Sequence, residues 1–257
     1  MFDCIIKFME LSIIYEDNFI IVVDKPAGIA TQSARVGETD LESELKKYRK
    51  AKGEAPEIYV VHRLDQPVSG LIVFAKTKAA AAGLTKDMQR EAFSKIYLAA
   101  VFKTESFKPE AALTDFIVKD AKTNRSYIAA SPKDRGTAEA RLSYVTVREE
   151  GKTAVLKITL ETGRHHQIRL QLSNAGMPLL GDLKYGSKES IEYSRGHGIK
   201  NVALCAYTLR FVHPITQKAL EFESQTGPAI LIQCTTSLRS PLAPDGSSTL
   251  HGSHVTA

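Results

Sequence analysis

The stretch over residues 60–76 constrains the fold most. Leu71-Ile72-Val73-Phe74-Ala75 is a short apolar run with β-branched and aromatic members. It reads as a buried strand. Pro67 and Ser69-Gly70 punctuate a turn just before it,. His62, Arg63 and Asp65 form a basic–acidic cluster ahead of that turn. A carboxylate therefore sits on a tight loop at the mouth of a core strand, where loops on a rigid scaffold carry chemistry. A salt-bridged surface turn would use the same residues.

Composition narrows the class. The chain has 257 residues, 43% of them hydrophobic, enough for one large domain or two small ones with a sizeable core,. Lys and Arg number 34 against 29 Asp and Glu, a net charge of +5 that mildly favours a polyanionic partner,. The three cysteines, Cys4, Cys205 and Cys234, are odd in number and far apart. They fit neither a disulfide framework nor a zinc motif, so reduced thiols in the cytoplasm are expected. Residues 1–11 are broken by Asp3, Lys7 and Glu10 and lack an apolar signal region,. No apolar run approaches the roughly 20 residues of a membrane helix. Residues 235–257 are rich in Ser, Thr, Pro, Gly and His. The expected organisation is a folded domain over 1–232 and a disordered tail over 233–257.

In chain order, residues 12–15 and 19–23 read as strands,. Residues 24–28 read as a Pro/Gly turn in which Lys25 is first a solvated loop cation and second an RNA contact,. Residues 39–50 predict a helix capped by Thr39 or Asp40, with Leu41, Leu45 and Tyr48 on one face,. A second helix is expected over 78–92, with Ala80, Leu84, Met88 and Ala92 inward. Residues 93–103 read as a strand, and 103–137 as a polar hairpin or loop with Lys119, Lys122, Arg125, Lys133 and Arg135,. Alternation predicts strands over 138–148 and 153–161,. Thr162 is expected to cap a helix running to about Asn174, closed by Gly176,. Its cationic groups would then be held at a strand-to-helix junction suited to anions. His165 and His166 on that helix would point about 100 degrees apart, poor joint metal ligands. Residues 187–200 read as a polar loop, and 202–212 and 218–224 as closing strands.

These motifs together resemble the RluA-type pseudouridine synthases. The family signature H-R-L-D-x-x-T-S-G-L-L-x-x-A-K is matched at His62, Arg63, Leu64, Asp65, Ser69, Gly70, Leu71, Ala75 and Lys76, with Val68 where the family usually has Thr. Asp24-Lys25-Pro26-Ala27-Gly28 resembles V-x-N-K-P-x-G, with Asp24 for Asn. Residues 95–101 resemble K-x-Y-x-A-x-V. The pattern G-R-x-H-Q-I-R-x-H…G-x-P-I-x-G-D-x-x-Y-G is matched at Arg164, His166, Gln167, Ile168, Arg169, Gly176, Pro178, Gly181, Asp182, Tyr185 and Gly186, with Gln171 for His. The closing L-H-A-x-x-L-x-F-x-H-P has Cys205 for His. The resemblance spans residues 11–224. Many members carry an N-terminal RNA-binding domain, and only about ten residues precede the first motif here, so the expectation is a stand-alone catalytic domain.

The resemblance implies an α+β fold, a mixed, mostly antiparallel central sheet flanked by helices and loops around a basic active-site cleft. It implies conversion of uridine to pseudouridine within tRNA or ribosomal RNA. Asp65, Tyr97 and Arg169 would be catalytic, and His62, Arg63, Arg164, His166 and Gln167 would bind substrate. Asp65 would act as nucleophile on the sugar or as general base, ionised and paired with Arg169. No cofactor, metal, membrane or obligate protein partner is implied, and a monomer is expected. Two rival readings use the same residues: an N-glycosyl hydrolase, which usually needs a second carboxylate that does not stand out here, and an inactive RNA-binding module.

Overall fold

The computed structural model describes residues 11–33, 37–88, 93–228 and 230–231. The elements in order are β1 (Ile13–Glu16), β2 (Ile20–Lys25), α1 (Leu41–Ala51), β3 (Tyr59–Val60), β4 (Ser69–Ala75), α2 (Lys78–Asp87), β5 (Ser94–Phe102), β6 (Glu110–Asp120), β7 (Arg125–Ile128), β8 (Thr137–Glu150), β9 (Thr153–Leu160), α3 (Gln167–Asn174), α4 (Lys188–Gly196), β10 (Leu204–Val212) and β11 (Ala219–Glu223). The strands form a single sheet in the order β1-β2-β4-β10-β5-β9-β8-β6-β7, with β3 on β4 and β11 on β10. Among the named strands only β4 and β10 pair in parallel. The fold is α+β with a mixed, mostly antiparallel sheet, as the sequence led one to expect.

The apolar run at 71–75 is a strand because both of its faces are covered. Ile72 and Phe74 pack in one cluster with Leu41 and Leu45 of α1. Leu71, Val73 and Ala75 pack in another with Ala80 and Leu84 of α2. Alternate side chains leave opposite faces of a strand, so one run anchors two layers. Each fully buried large side chain contributes roughly 1.5–3 kcal/mol, and a charge at Val73 would break the α2 layer. Gly70, second in this strand, sits at φ +111, where an added Cβ would meet the Ala206 backbone oxygen at 2.4 Å. Only glycine permits the close β4–β10 join.

Asp40 caps α1 by accepting from the Ser43 N–H at 2.8 Å, and Thr77 caps α2 from the Ala80 N–H at 3.2 Å,. Helix α2 ends at Asp87, short of the expected 92, and Ala92 lies outside the described residues. Residues 103–137 contain the β6–β7 hairpin.

Residues 187–200 are not a loop. They contain α4, capped by Ser187, with Ser190 and Ser194 buried. The Ser194 hydroxyl donates to the Ser190 carbonyl at 2.6 Å and accepts from the Gly181 N–H at 2.9 Å. A helix face built on serines gives no apolar periodicity to read. The expected tail over 233–257, Cys4 and Cys234 lie outside the described residues. Among the described residues no helix is long and apolar enough to cross a membrane.

Candidate active site

Asp65 stands on the loop between β3 and β4, in a turn closed by the Val68 N–H donating to the Asp65 carbonyl at 3.0 Å,. The loop is tied along its length to residues 25–31. The Thr31 hydroxyl donates to the Leu64 carbonyl at 3.0 Å and accepts from the Leu64 N–H at 3.1 Å. The Gly28 N–H donates to the Gln66 carbonyl at 2.8 Å, and the Gln66 side chain returns a bond to the Gly28 carbonyl at 3.0 Å.

Lys25 completes this clamp and corrects the reading of a solvated cation. Its side chain is 0% exposed. Its Nζ donates to the carbonyls of Pro26 (3.0 Å), Ile29 (2.8 Å) and Gln66 (3.2 Å). Burial pushes its pKa down to about 8, against the opposing pull of the Asp65 charge,. The long-range ties close over the lysine, which local polarity could not reveal.

The opposite side of Asp65 is set by α3. This helix starts at Gln167, not at Thr162, and its N-cap is His166 in the left-handed region at φ 54 with no side-chain cap bond. The Thr162 hydroxyl instead donates to Gln167 Oε1 at 2.9 Å, and the Arg164 N–H donates to the same oxygen at 2.9 Å. Gln167 Nε2 donates to the Arg141 carbonyl at 3.0 Å. The Gln167 amide therefore organises the turn that leads into the helix.

Arg169, 4% exposed, lies two residues along α3. Its Nη1 donates to Asp65 Oδ2 at 3.2 Å. Its main partner is Asp182, reached through Nε at 2.7 Å and Nη2 at 2.8 Å. That fork-on-carboxylate pairing fixes the plane of the guanidinium. Asp182 also accepts from the backbone N–H groups of Lys184 and Tyr185, at 2.9 and 3.1 Å. Asp182 and Tyr185 both stand in the matched motif, which by itself assigns them no task. The Tyr185 hydroxyl lies 2.8 Å from His166 Nδ1. His165 and His166 precede the helix, and their rings stack at 3.7 Å instead of diverging as helix neighbours would.

Asp65, Arg169 and Tyr97 border one cavity of about 580 Å³, inside the usual range of roughly 300–1,000 Å³ for a small-molecule site. The structure brings all eight sequence-predicted site residues to its wall. Lys95 and Tyr97 share a face of β5 by strand alternation. Tyr97 is 6% exposed, and burial followed by the Asp65 charge raises its phenol pKa, so the ring stays neutral. Burial pushes the Lys95 ammonium down to about 8. His62 is pinned beneath the loop, its Nε2 accepting from the Val73 N–H at 3.2 Å. Burial, then Lys95, hold His62 neutral. Arg63 is exposed at the wall and makes no ion pair among the described residues. Arg164 Nε donates to the Glu139 carbonyl at 2.8 Å. Among the described residues no group of three or more His, Cys, Asp or Glu side chains is arranged to hold a metal ion.

The wall thus presents Arg63, Lys95, Lys119, Arg164 and Arg169 around one partly exposed carboxylate, Asp65. Glu161 also reaches the cavity but is paired with Arg141 Nε at 3.1 Å. Such a site suits an anionic substrate attacked or deprotonated by a single carboxylate.

Three comparisons bear on this arrangement. The model of a family described as RNA pseudouridylate synthase matches residues 19–174. The uncharacterized RNA pseudouridine synthase YhcT of Bacillus subtilis is 32% identical over 219 residues, covering 85% of this chain and 69% of that protein. Ribosomal large subunit pseudouridine synthase D of Vibrio cholerae is 31% identical over 240 residues, covering 90% and 72%. The solved structure of human RNA pseudouridylate synthase domain containing 4 aligns with a TM-score of 0.68 at 19% identity, over 89% of this chain and 93% of that one. Human RNA pseudouridylate synthase domain containing 1 gives 0.66 at 23% identity, over 91% and 97%. These two likenesses speak to the fold.

Proposed function

Because the chain belongs to the RNA pseudouridylate synthase family and is an RNA pseudouridine synthase, we propose that it acts on large-subunit ribosomal RNA through Asp65. The observation that carries the role of Asp65 is its place on the cavity wall, 3.2 Å from the buried Arg169. The choice of RNA is supported by relatives named for the ribosomal large subunit; tRNA is the alternative.

The reaction breaks the N1–C1′ bond of uridine, turns the uracil and joins C5 to C1′. C5 loses a proton and N1 gains one, so the RNA is isomerised without a co-reactant. Asp65 serves either at the anomeric carbon or on a sugar proton. Tyr97, kept neutral by burial, stacks on the uracil. A stacked uridine must first leave its helix, at a cost of a few kcal/mol. Arg63, free of ion pairs among the described residues and two positions before Asp65, is placed to hold a phosphate or fill the vacated stack. Lys119 and Arg164 extend the cationic wall along the backbone path,. His62, His166 and Gln167 shape the binding surface from beneath.

The test is Asp65→Asn on ribosomal RNA carrying C5-tritiated uridine. Tritium release should fall by more than about 1,000-fold, the scale of losing an essential catalytic group, while RNA affinity stays within about twofold because phosphate contacts dominate binding. Activity within about tenfold of wild type removes Asp65 from the role. Free uracil as the product would favour the hydrolase reading. Mapping pseudouridines with and without the gene decides the RNA: sites lost only from tRNA would overturn the ribosomal assignment.

A further inference from the structure

We propose that Asp65 reacts through Oδ1, its Oδ2 being held by Arg169 and by a His166 side chain whose tautomer Tyr185 fixes. The proposal rests on the reading of Asp65 as the catalytic carboxylate and assigns His166 and Tyr185 as positioning residues.

The hydrogen bonds define the direction of each proton. The Ser126 N–H donates to the Tyr185 hydroxyl oxygen at 2.8 Å. That hydroxyl has one proton of its own, and its other close polar neighbour is His166 Nδ1 at 2.8 Å. Nδ1 is the one acceptor within reach of the phenol proton among the described residues, so we assign the phenol as accepting from Ser126 and donating to Nδ1. A neutral imidazole that accepts at Nδ1 carries its proton at Nε2. His166 is neutral, because burial pulls its pKa down to about 4 and Arg169, His165 and Lys184 add to that, while Asp65 opposes it.

The Nε2 that carries this proton lies 3.7 Å from Asp65 Oδ2. At that separation it acts as an oriented dipole rather than as a hydrogen bond. Arg169 Nη1 donates to the same oxygen at 3.2 Å. No donor from the described residues reaches Oδ1. The two carboxylate oxygens are thus unequal: Oδ2 faces the Arg169 cation and the neutral His166 N–H dipole, and Oδ1 keeps its lone pairs for a carbon or a proton.

The ring of His166 is held for this task at the expense of its own backbone. Its φ of 54 is a left-handed conformation, uncommon outside glycine and kept where the surroundings dictate it. Its ring does not cap α3, although it stands at the N-cap. The stacked His165 ring fixes it from one side, and His165 is fixed in turn by the Ser126 hydroxyl, 2.9 Å from its Nδ1. Tyr185 is steadied by its ring beneath the Arg169 guanidinium, 5.3 Å from the centroid.

The experiment combines a spectroscopic and a kinetic readout. In protein labelled with 15N-histidine, long-range proton–nitrogen correlation should show His166 as the Nε2–H tautomer. Tyr185→Phe keeps the ring and removes the donor, so the His166 signals should move toward a mixture of tautomers. Its single-turnover rate at saturating enzyme should fall about 10- to 100-fold, the scale of losing an orienting partner, with RNA affinity unchanged. His166→Gln can place an amide N–H where Nε2 stood, whereas His166→Asn suits the left-handed backbone but falls short of Asp65. Gln should therefore be faster than Asn. An Nδ1–H tautomer in an active wild type, a wild-type rate for Tyr185→Phe, or an Asn variant as fast as Gln each overturns the proposal and leaves the activity reading intact. If Tyr185→Phe fails to fold, the wild-type tautomer and the Gln–Asn order decide. A wild type that forms no pseudouridine from any RNA overturns the reading of Asp65, and this proposal with it.

Discussion

Asp65 is flanked by two buried cations that are satisfied in opposite ways. Lys25 reaches the loop through the Gln66 carbonyl, and Arg169 reaches the Asp65 carboxylate, each at 3.2 Å. Lys25 is held by three carbonyl oxygens and no ion pair among the described residues, and its pKa falls to about 8. For Arg169, burial pulls the same way, but Asp182 and then Asp65 outweigh it and the pKa rises. Dipoles satisfy the geometry of a buried ammonium without neutralising it, whereas carboxylates do both. Lys25 thus holds the backbone of the Asp65 loop, and Arg169 holds the side chain that the loop presents.

The contrast is broken most sharply at Arg169. Arg169→Met strands Asp182 in the interior, 1% exposed and without its counter-charge. Thermal or urea unfolding should show a loss of about 3–5 kcal/mol, the range for removing one partner of a buried pair. A loss below about 1 kcal/mol would mean that the pair is not the anchor described.

Lys25→Met leaves three carbonyls short of a donor but strands no charge. Its cost should be smaller, about 1–3 kcal/mol. The single-turnover rate should drop as the Asp65 loop loosens, with RNA affinity nearly unchanged. A variant as unstable as Arg169→Met would erase the distinction between the two cations.

The finest test is pH. The folded Lys25 releases its proton near pH 8, whereas an unfolded lysine holds it to about 10.4. Between those values the unfolded chain binds more protons, so stability contributed at this site rises with pH. The stability of wild type relative to Lys25→Met should increase from pH 8 to about 10, by less than about 1.4 kcal/mol per unit. The Arg169→Met difference should stay flat over the same window. Parallel curves for the two variants would show that Lys25 is not held as a costly cation.

Much of this was legible because it is local. The 71–75 run, the Asp40 cap and the alternation of β8 and β9 are patterns that a few neighbouring residues complete. The motif match also brought Asp65, Tyr97 and Arg169 together before any coordinates. What escaped reading has a common cause in each case. The face of α4 turned inward is serine, so no hydrophobic period marks it. Thr162 looked like a cap because Ser and Thr cap helices, but its hydroxyl meets Gln167 first and the helix begins at that residue.

The sequence by itself determined most of the strands and the family, and it singled out Asp65, since period, turn chemistry and motif order are written along the chain. Only the tertiary structure decided how charge is shared around Asp65. Arg169 divides itself between Asp182, thirteen positions away, and Asp65, 104 away. Lys25 is buried because Gln66, 41 positions away, folds over it. A charge is tolerated or costly according to what surrounds it in space, and those neighbours are chosen by packing over distances that no local pattern spans.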